Sequence, residues 1–501
     1  MRFLSTLFIC LYAVVSSILF YRYGILHGQS GHDTFQYIKW SYTLISDEST
    51  LIFYRPVLYA IMGLGGFLTN WHYAFMTSIY GILFAVSVLG TCWSCYKLKL
   101  NYMITLLITV GMFSSPFVVN SVIHNYTTLL EAVFIIAGLL LIYSNNQKSI
   151  FGSLMIGFII FLSVHSHEEK ILFWVILLCF SSVRANLQTL VVFLSFIIFT
   201  LITGLTLGAT EIISNVMRIG GGVSSNWTRS DFLLIDHMYL ITQSLEHALG
   251  GPLANILFLV LTIKIFFRSW TGNVKKREKF SISVILTTLI YFLVLVIVFG
   301  RIELYRIHVP VILAVAPFIF VFFDETINKL SLGLSSIIVT LGFIIIFLPN
   351  MSHQLTRVST VEPSKELVAY RAIMRGWKAE TGRNVVLLPS FESRGLMWGN
   401  TKGYSLQSVV YLGDEVRVAV HENKYEFLTS PETNDTVTLQ GELDHGSDFC
   451  VNDPHETNVI YVADSTQLSV NEQKFIDCLS QRNDLQKVTV QNVIILGPKN
   501  A

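Results

Sequence analysis

Charged residues are scarce in this chain of 501 residues: Asp, Glu, Lys and Arg make up only 13% of it. Soluble domains contain about 25%. Positive and negative charges nearly cancel, which leaves a formal net charge of +1, so the chain lacks the basic excess of a nucleic-acid-binding protein. With 52% hydrophobic residues it also lacks the composition of a disordered chain. These deficits exclude a soluble enzyme as the main interpretation, and they predict no nucleic-acid partner.

The few charges are distributed unevenly along the chain. Residues 1–349 contain 20 Lys or Arg and 14 Asp or Glu, whereas the much shorter segment 350–501 contains 14 and 19. The first part therefore has the composition of a membrane protein, and the second has that of a small soluble domain. We predict two domains with these boundaries.

Apolar stretches fill the first part of the chain. A helix needs about 20 mostly apolar residues to span a bilayer. We interpret the short, glycine-rich stretch 56–69 as an interfacial helix and the others as about eleven spans, and we read residues 1–21 as a span rather than a cleaved signal peptide. The predicted fold class is mainly α, a polytopic transmembrane helix bundle with a small C-terminal α/β domain. The stretches are 3–21, 56–69, 73–96, 102–118, 128–143, 150–165, 171–183, 187–209, 252–267, 280–299, 309–323 and 331–348.

Basic residues indicate the orientation of these spans. With eleven spans, one side of the membrane carries 12 Lys or Arg, including the run within 268–279, against 8 on the other side. Because basic loops stay in the cytoplasm, we predict a multi-pass protein of the inner (cytoplasmic) membrane with a cytoplasmic N-terminus and an extracytoplasmic C-terminal domain. In an oxidising compartment Cys450 and Cys478 could form a disulfide or remain free thiols.

Polar side chains cluster at the predicted outer ends of the spans. Such groups are costly near a membrane and mark candidate sites. The candidate catalytic residues are Asp33, in the first outer loop, and Glu131, one turn into a span. A carboxylate can take the proton from an acceptor hydroxyl, and Arg or Lys can hold a phosphate leaving group. The candidate substrate-binding residues are His32, Arg55, Lys170, Arg301 and Arg306.

Several of these side chains also have a purely structural interpretation. Asp33 could cap a helix predicted at 34–45, and Glu131 could pair with a nearby cation. Lys170 and Arg306 could extend towards lipid headgroups. All four structural alternatives stay open at the level of sequence.

A metal site is a weaker possibility in this pattern. His165 and Glu169 have the i,i+4 spacing that would put two ligands on one helical face, although a pair exposed to water has the same spacing. We predict no cofactor and no metal ligand, with a divalent metal ion as the open alternative.

Six short motifs follow one another in a recognisable order. They are Gly31–Tyr37, Tyr54–Tyr59, Ser114–Phe117, Leu129–Glu131, Ser166–Lys170 and Tyr305–Pro310. Over residues 1–320 this order resembles the GT-C superfamily of polytopic glycosyltransferases, most closely its protein O-mannosyltransferase-like and lipid A aminoarabinose transferase-like members. The resemblance implies an integral-membrane enzyme that moves a sugar from a polyprenyl-phosphate donor to a glycan, lipid or protein acceptor on the outer face. It also implies Asp33 as the catalytic base.

Two other functions are compatible with a polytopic chain. A membrane transporter or lipid flippase would show inverted repeats and charges at the bilayer midplane, whereas here we find no internal repeat and the charges lie at span ends. A polysaccharide polymerase or ligase would use a large outer loop, for which 210–251 is the candidate.

The C-terminal segment 350–501 shows alternating helix and strand patterns. We predict helices at 363–381 and 471–482, and strands at 385–388, 416–420, 459–462 and 488–496. It contains no nucleophile motif or phosphate-binding loop, so acceptor recognition and a structural cap are both possible roles for it.

Overall fold

The structure is a computed structural model, and it describes residues 2–27, 29–30, 56–68, 73–123, 128–144, 149–167, 169–180, 187–207, 275–299, 304–327, 383–388, 390, 409–410, 425–427 and 459–499. Isolated helical positions between 263 and 373 are described as well. The chain is mostly helical with a small C-terminal sheet, as predicted.

Long helices make up the described part of residues 1–349. They coincide with the predicted apolar stretches, apart from 102–118, while 252–267 and 331–348 are described only at single helical positions. The helices are α1 (Arg2–His27), α2 (Pro56–Leu68), α3 (Tyr73–Lys97), α4 (Tyr102–Leu106), α5 (Pro116–Ile123), α6 (Thr128–Tyr143), α7 (Ile150–Ser166), α8 (Lys170–Phe180), α9 (Leu187–Leu207), α10 (Lys276–Phe299) and α11 (Leu304–Ile327).

The prediction of one continuous helix over 102–118 is wrong. α4 continues as a π-helix over Leu107–Met112, the chain then turns, and α5 starts at Pro116. Proline suits the first position of a helix because its missing N–H would have no partner there. The Oγ of Ser115 accepts the backbone N–H of Val118 at 3.4 Å, which helps to start α5. Hydropathy cannot detect this break because both pieces are apolar.

Two described helical segments are long and apolar enough to cross a bilayer, Phe3–Tyr23 and Lys276–Leu295. Shorter apolar helices of 10–17 residues accompany them, and the predicted number of about eleven spans is not confirmed. The shorter segments are Gly81–Lys97, Tyr102–Met112, Thr128–Tyr143, Ile150–Ser166, Lys170–Phe180, Thr189–Thr203 and His308–Asp324.

Exposed apolar side chains cover outward faces of the bundle. On α1 they recur every three or four residues and so form one stripe along the helix: Phe3, Leu7, Leu11, Val14 and Ile18. Large continuous apolar surfaces are rare on soluble monomers, and lipid is the solvent that favours them. At the end of α3 the exposed ring of Trp93 stacks on Tyr96, and the Nζ of Lys97 lies 4.9 Å from the centroid of the Trp93 ring. Aromatic and basic side chains of this kind are typical of a membrane–water interface.

Small residues allow neighbouring helices to approach closely, as is usual in membrane bundles. Ser17 on α1 donates its hydroxyl to the carbonyl oxygen of Gly81 on α3 at 2.7 Å. A Cβ atom added to Gly157 on α7 would lie 2.6 Å from the Val192 carbonyl oxygen on α9. On α6, Gly138 leaves room for the fully buried ring of Trp174 on α8. The last contact holds α8, and with it Lys170, against α6.

The C-terminal segment contains a five-stranded mixed sheet. Its strands are β2 (Arg383–Leu387), β4 (Tyr425–Phe427), β5 (Val459–Asp464), β6 (Leu485–Val490) and β7 (Val493–Pro498), arranged in the order β4-β2-β5-β7-β6. β2 is parallel to β4 and β5, and β7 is antiparallel to β5 and β6.

Both faces of this sheet are covered, because residues alternate between the faces along each strand. From β5, Ile460 and Val462 join a cluster with Ile373, a described helical position within the predicted helix 363–381. Tyr461 and Ala463 face the other way, towards helix α12 (Val470–Ser480). A capping box between Ser469 and Glu472 starts α12. The predicted α/β character of this segment is thus visible in its described part.

One predicted strand of this segment is wrong. Residues 488–496 form not one strand but the end of β6, a two-residue turn and most of β7. The turn contains Gln491, which has a φ of 53°. The predicted strand at 416–420 lies outside the described residues.

Cys478 on α12 is disulfide-bonded. Cys450 lies outside the described residues. The free thiols among the described residues lie on α1, α3 and α8, and they are Cys10, Cys92, Cys95 and Cys179.

A short antiparallel ladder joins the two parts of the chain. β1 (Gln29–Ser30) directly follows α1 and pairs with β3 (Val409–Val410), with Gln29 opposite Val410 and Ser30 opposite Val409. The end of α1 that leads into Gln29 and Ser30 therefore lies beside this piece of the C-terminal segment.

Candidate functional site

A sharp turn between α7 and α8 carries the first group of candidate residues. α7 ends at Ser166, and His167 is extended, with φ −162° and ψ 113°. The N–H of His167 still donates to the Ser163 carbonyl oxygen at 3.2 Å, and the Lys170 N–H donates to the His167 carbonyl oxygen at 3.1 Å. These bonds bring Lys170 to the first position of α8, where its side chain points into the bundle and is fully buried.

Lys170 forms an ion pair with Glu131. The Nζ of Lys170 lies 2.8 Å from Oε2 of Glu131, and the two side chains are 0% and 1% exposed. Glu131 lies in the first turn of α6, where the helix dipole favours a negative charge. Isolated charges are costly inside a protein, and pairing offsets that cost. The structure thus joins two site residues that the sequence analysis predicted separately, in the way its structural alternative for Glu131 described.

A second pair lies beside the first, in the turn itself. Nδ1 of His167 is 2.5 Å from Oε2 of Glu169, and both side chains are almost fully buried. The metal alternative for His165 and Glu169 required one helical face, but α7 ends between these residues. His165 instead contacts the Thr200 hydroxyl on α9 at 3.2 Å. Among the described residues no group of three or more His, Cys, Asp or Glu side chains is placed to hold a metal ion.

His308 was not among the predicted site residues, although it lies in the motif Tyr305–Pro310. It lies in the second turn of α11, is fully buried, and packs its ring 4.1 Å from that of Phe292 on α10. It is close enough to Lys170 for the two side chains to interact electrostatically. A histidine just inside a long apolar run, two residues after Arg306, was the available signal.

Of the remaining candidate residues, the structure describes only Arg306. Arg306 lies in the first turn of α11, at the same helix end as His308. Asp33, His32, Arg55 and Arg301 lie outside the described residues, so their roles stay predictions. Asp33 follows the end of β1 by three positions in the sequence.

The opposite end of the bundle carries a different set of polar contacts. The Asp324 carboxylate on α11 accepts the backbone N–H of Asn101 at 2.7 Å, and Arg277 on α10 donates to the Leu98 carbonyl oxygen at 3.2 Å. His308 and Asp324 are 16 positions apart on α11, which corresponds to about 24 Å along a helix. The bundle therefore has two polar ends with an apolar core between them, and Glu131, Lys170 and His308 share one of them.

We call Glu131, His167, Glu169, Lys170 and His308 the buried charge cluster. Its members come from α6, α11 and the turn that leads into α8, and their side chains are all at least nine-tenths buried. It lies where three helices begin. It combines two carboxylates, two imidazoles and one ammonium group inside an apolar bundle. Such a cluster is suited to bind the charged group of a substrate that is otherwise apolar.

Comparisons with known proteins add little to this geometry. No protein-family model and no curated protein sequence matches the chain. Two solved structures of the Archaeoglobus fulgidus oligosaccharyltransferase resemble it at 11% sequence identity. The complex with Zn and sulfate has a TM-score of 0.49 over 97% of this chain and 73% of that one. The enzyme tethered by a disulfide to an acceptor peptide containing the NVT sequon has a TM-score of 0.47 over 98% and 73%. TM-scores below 0.5 do not establish a common fold, so the function must be argued from the residues of this chain.

Proposed function

We propose that the protein is an integral-membrane glycosyltransferase that moves a sugar from a polyprenyl-phosphate donor to an acceptor on the outer face of the membrane. The observation that carries this proposal is the buried charge cluster at one end of an otherwise apolar helix bundle. A lipid-linked sugar has the same division: an apolar tail, an anionic phosphate and a polar sugar. The motif order that resembles the GT-C superfamily supports the same chemistry.

Two features of the C-terminal segment support the proposed outer face of the membrane. A disulfide at Cys478 is typical of an oxidising compartment, which supports placing this segment outside the cytoplasm. The ladder between β1 and β3 holds Gln29 and Ser30, directly after α1, beside this segment. On this proposal Asp33, three positions after β1 in the sequence, acts in the compartment in which the acceptor is glycosylated.

In the proposed reaction an acceptor hydroxyl attacks the anomeric carbon of the donor sugar. Asp33 takes the hydroxyl proton as general base, the new glycosidic bond forms, and the bond between the anomeric carbon and the phosphate oxygen breaks. The lipid phosphate leaves with that electron pair. Arg301 and Arg306, with His32 and Arg55 near the sugar, stabilise the charge on the leaving group. The acceptor is a glycan, a lipid or a protein, and the configuration at the anomeric carbon inverts.

The test of this function is Asp33→Asn, which keeps the shape of the side chain and removes its basicity. Sugar transfer in membranes that contain equal amounts of protein should fall by about 10²-fold or more, the usual scale for a general base. Asp47→Asn, in the same predicted loop but outside the motif order, is the matched control and should be nearly silent. Wild-type transfer by Asp33→Asn would contradict the assignment and leave Glu131 as the carboxylate to test.

A cellular measurement separates the enzyme from the transporter alternative. Cells that lack the protein should lose one sugar from a surface glycan and accumulate the lipid-linked donor. An unchanged glycan profile together with altered solute uptake would contradict glycosyl transfer.

A further inference from the structure

The buried charge cluster has an excess of positive potential from the backbone. α6 begins at Thr128, α8 at Lys170 and α11 at Leu304, and each helix N-terminus acts as about half a positive charge. Lys170 adds a full charge at the same place, and Arg306 lies in the first turn of α11. Two carboxylates, Glu131 and Glu169, are the anions that the described structure places here.

The position of Lys170 explains why one of those carboxylates must be so close. Its side chain is fully buried, and an ammonium group in such a place needs an anion in contact with it. Glu131 is that anion, 2.8 Å away. The phosphate of a lipid-phosphate sugar is a diester with one negative charge, so it can replace the Glu131 carboxylate beside Lys170 without leaving the lysine unpaired. When the sugar leaves, this phosphate becomes a monoester with up to two negative charges, and the same lysine then stabilises the added charge.

We propose that Glu131 is a counter-ion that the phosphate of the donor displaces, so that the donor binds to Lys170 by exchange rather than by addition. This inference rests on the proposed function and deepens it. Without the donor, Glu131 neutralises Lys170 and keeps the cluster closed. When the donor arrives, its phosphate takes the contact with Lys170, and the Glu131 carboxylate moves away from the lysine.

Exchange has a consequence for affinity that simple binding does not have. The donor must compete with a resident carboxylate, so its apparent affinity is reduced by the fraction of protein in which Lys170 is available. Weakening the resident carboxylate should therefore tighten binding, although it removes a negative partner from the protein. A directly substrate-contacting Glu131 predicts the opposite.

The experiment measures the binding of farnesyl monophosphate, a short analogue of the lipid phosphate that the reaction releases, to the purified full-length protein in lipid nanodiscs, by the ligand-dependent shift in thermal unfolding. Farnesol tests the contribution of the apolar chain, and inorganic phosphate tests whether the phosphate alone suffices. The variants are Glu131→Gln, Lys170→Met and the two combined. Glu278→Gln is the matched control, since Glu278 is a fully buried carboxylate in the first turn of α10, the helix end that carries Arg277.

Glu131→Gln should bind farnesyl phosphate more tightly than wild type, while Lys170→Met should lose about 10-fold or more, as expected for one charged hydrogen bond. The combined variant should bind as weakly as Lys170→Met. Both single variants should unfold at a lower temperature, and the combined variant should regain part of that loss because no charge stays unpaired. Glu278→Gln should change stability without changing phosphate binding.

Equal or weaker binding by Glu131→Gln overturns the exchange while leaving the proposed function intact. If Glu131→Gln does not fold, Glu131→Asp keeps the charge and withdraws the carboxylate by one methylene, and it too should bind more tightly than wild type. A wild-type protein that responds to farnesyl phosphate no more than to farnesol would overturn both the exchange and the proposed donor class.

Discussion

The contact between α7 and α9 predicts a measurable loss of stability in the variant Gly157→Ala. The added Cβ would lie 2.6 Å from the Val192 carbonyl oxygen, 2.6 Å from the Ser195 Cβ and 2.7 Å from the Ser195 Oγ. The Val192 oxygen belongs to the backbone, so a rotamer change cannot remove this overlap and the two helices must separate. Separation also strains the hydrogen bond from the Ser195 hydroxyl to the Leu154 carbonyl oxygen, now 3.0 Å.

Overpacking of this kind costs about 1–3 kcal/mol. At about 2 cal/mol/K per residue, the unfolding entropy of this chain of 501 residues is about 1 kcal/mol/K. The midpoint of thermal unfolding of the purified protein should therefore fall by about 1–3 °C. Transfer activity should fall with it, because α7 leads directly into the turn that carries His167 and Glu169.

Two further variants control this experiment. Gly90→Ala on α3 meets only the Ile136 Cγ2 side-chain atom, at 3.3 Å, and should cost much less. Ser195→Gly combined with Gly157→Ala removes two of the three overlaps and should restore part of the stability. A midpoint of Gly157→Ala equal to that of wild type would refute the close packing of α7 on α9.

Three more predictions concern topology, the donor and the C-terminal segment. A reporter fused after Ala501 should be active only outside the cytoplasm and one inserted at Lys276 only inside it; a cytoplasmic Ala501 would reverse the proposed faces. Arg306→Ala should raise the KM for the donor more than Arg306→Lys does, because the lysine keeps a positive charge and a lost charged contact costs about 1.5–3 kcal/mol. Arg306→Lys should still raise it, because only a guanidinium can bind phosphate bidentately. Unchanged kinetics in both variants would leave Arg306 as a headgroup anchor. Glu472 accepts the buried Ser390 N–H at 2.7 Å as well as the Ser469 N–H at 2.9 Å. Glu472→Ala should therefore increase hydrogen exchange in α12 more than Ser469→Ala does, because loss of the Ser469 cap alone costs about 1 kcal/mol. Equal protection in both variants would contradict the double role of Glu472.

Hydropathy along the chain was sufficient to locate most described helices, because a helix in an apolar environment needs an apolar sequence over its whole length. It was insufficient at 102–118, where the break lies at Ser114, Ser115 and Pro116 and these few residues do not interrupt the apolar character of the stretch. In the C-terminal segment, the prediction of one strand over 488–496 failed for a related reason. Gln491 continues the alternation of apolar and polar residues that begins at Val488, and the strand pairing shows that the chain reverses there.

Site residues were predictable as types and positions, but not as contacts. The spacing of His165 and Glu169 suggested a shared helical face, and the end of α7 at Ser166 removed it. His308 is a single polar residue in an apolar run, and the role of such a residue depends on which side chains surround it in the folded protein.

The sequence by itself determined that this chain is largely apolar and helical, that its charges gather at the ends of helices, and that its last third has the composition of a soluble α/β unit. Only the tertiary structure decided that Glu131 and Lys170 neutralise each other and that His308 joins them. The physical reason is the cost of burying charge. That cost requires a partner within contact distance, and which residue becomes the partner depends on how α6, α8 and α11 pack, not on their order along the chain.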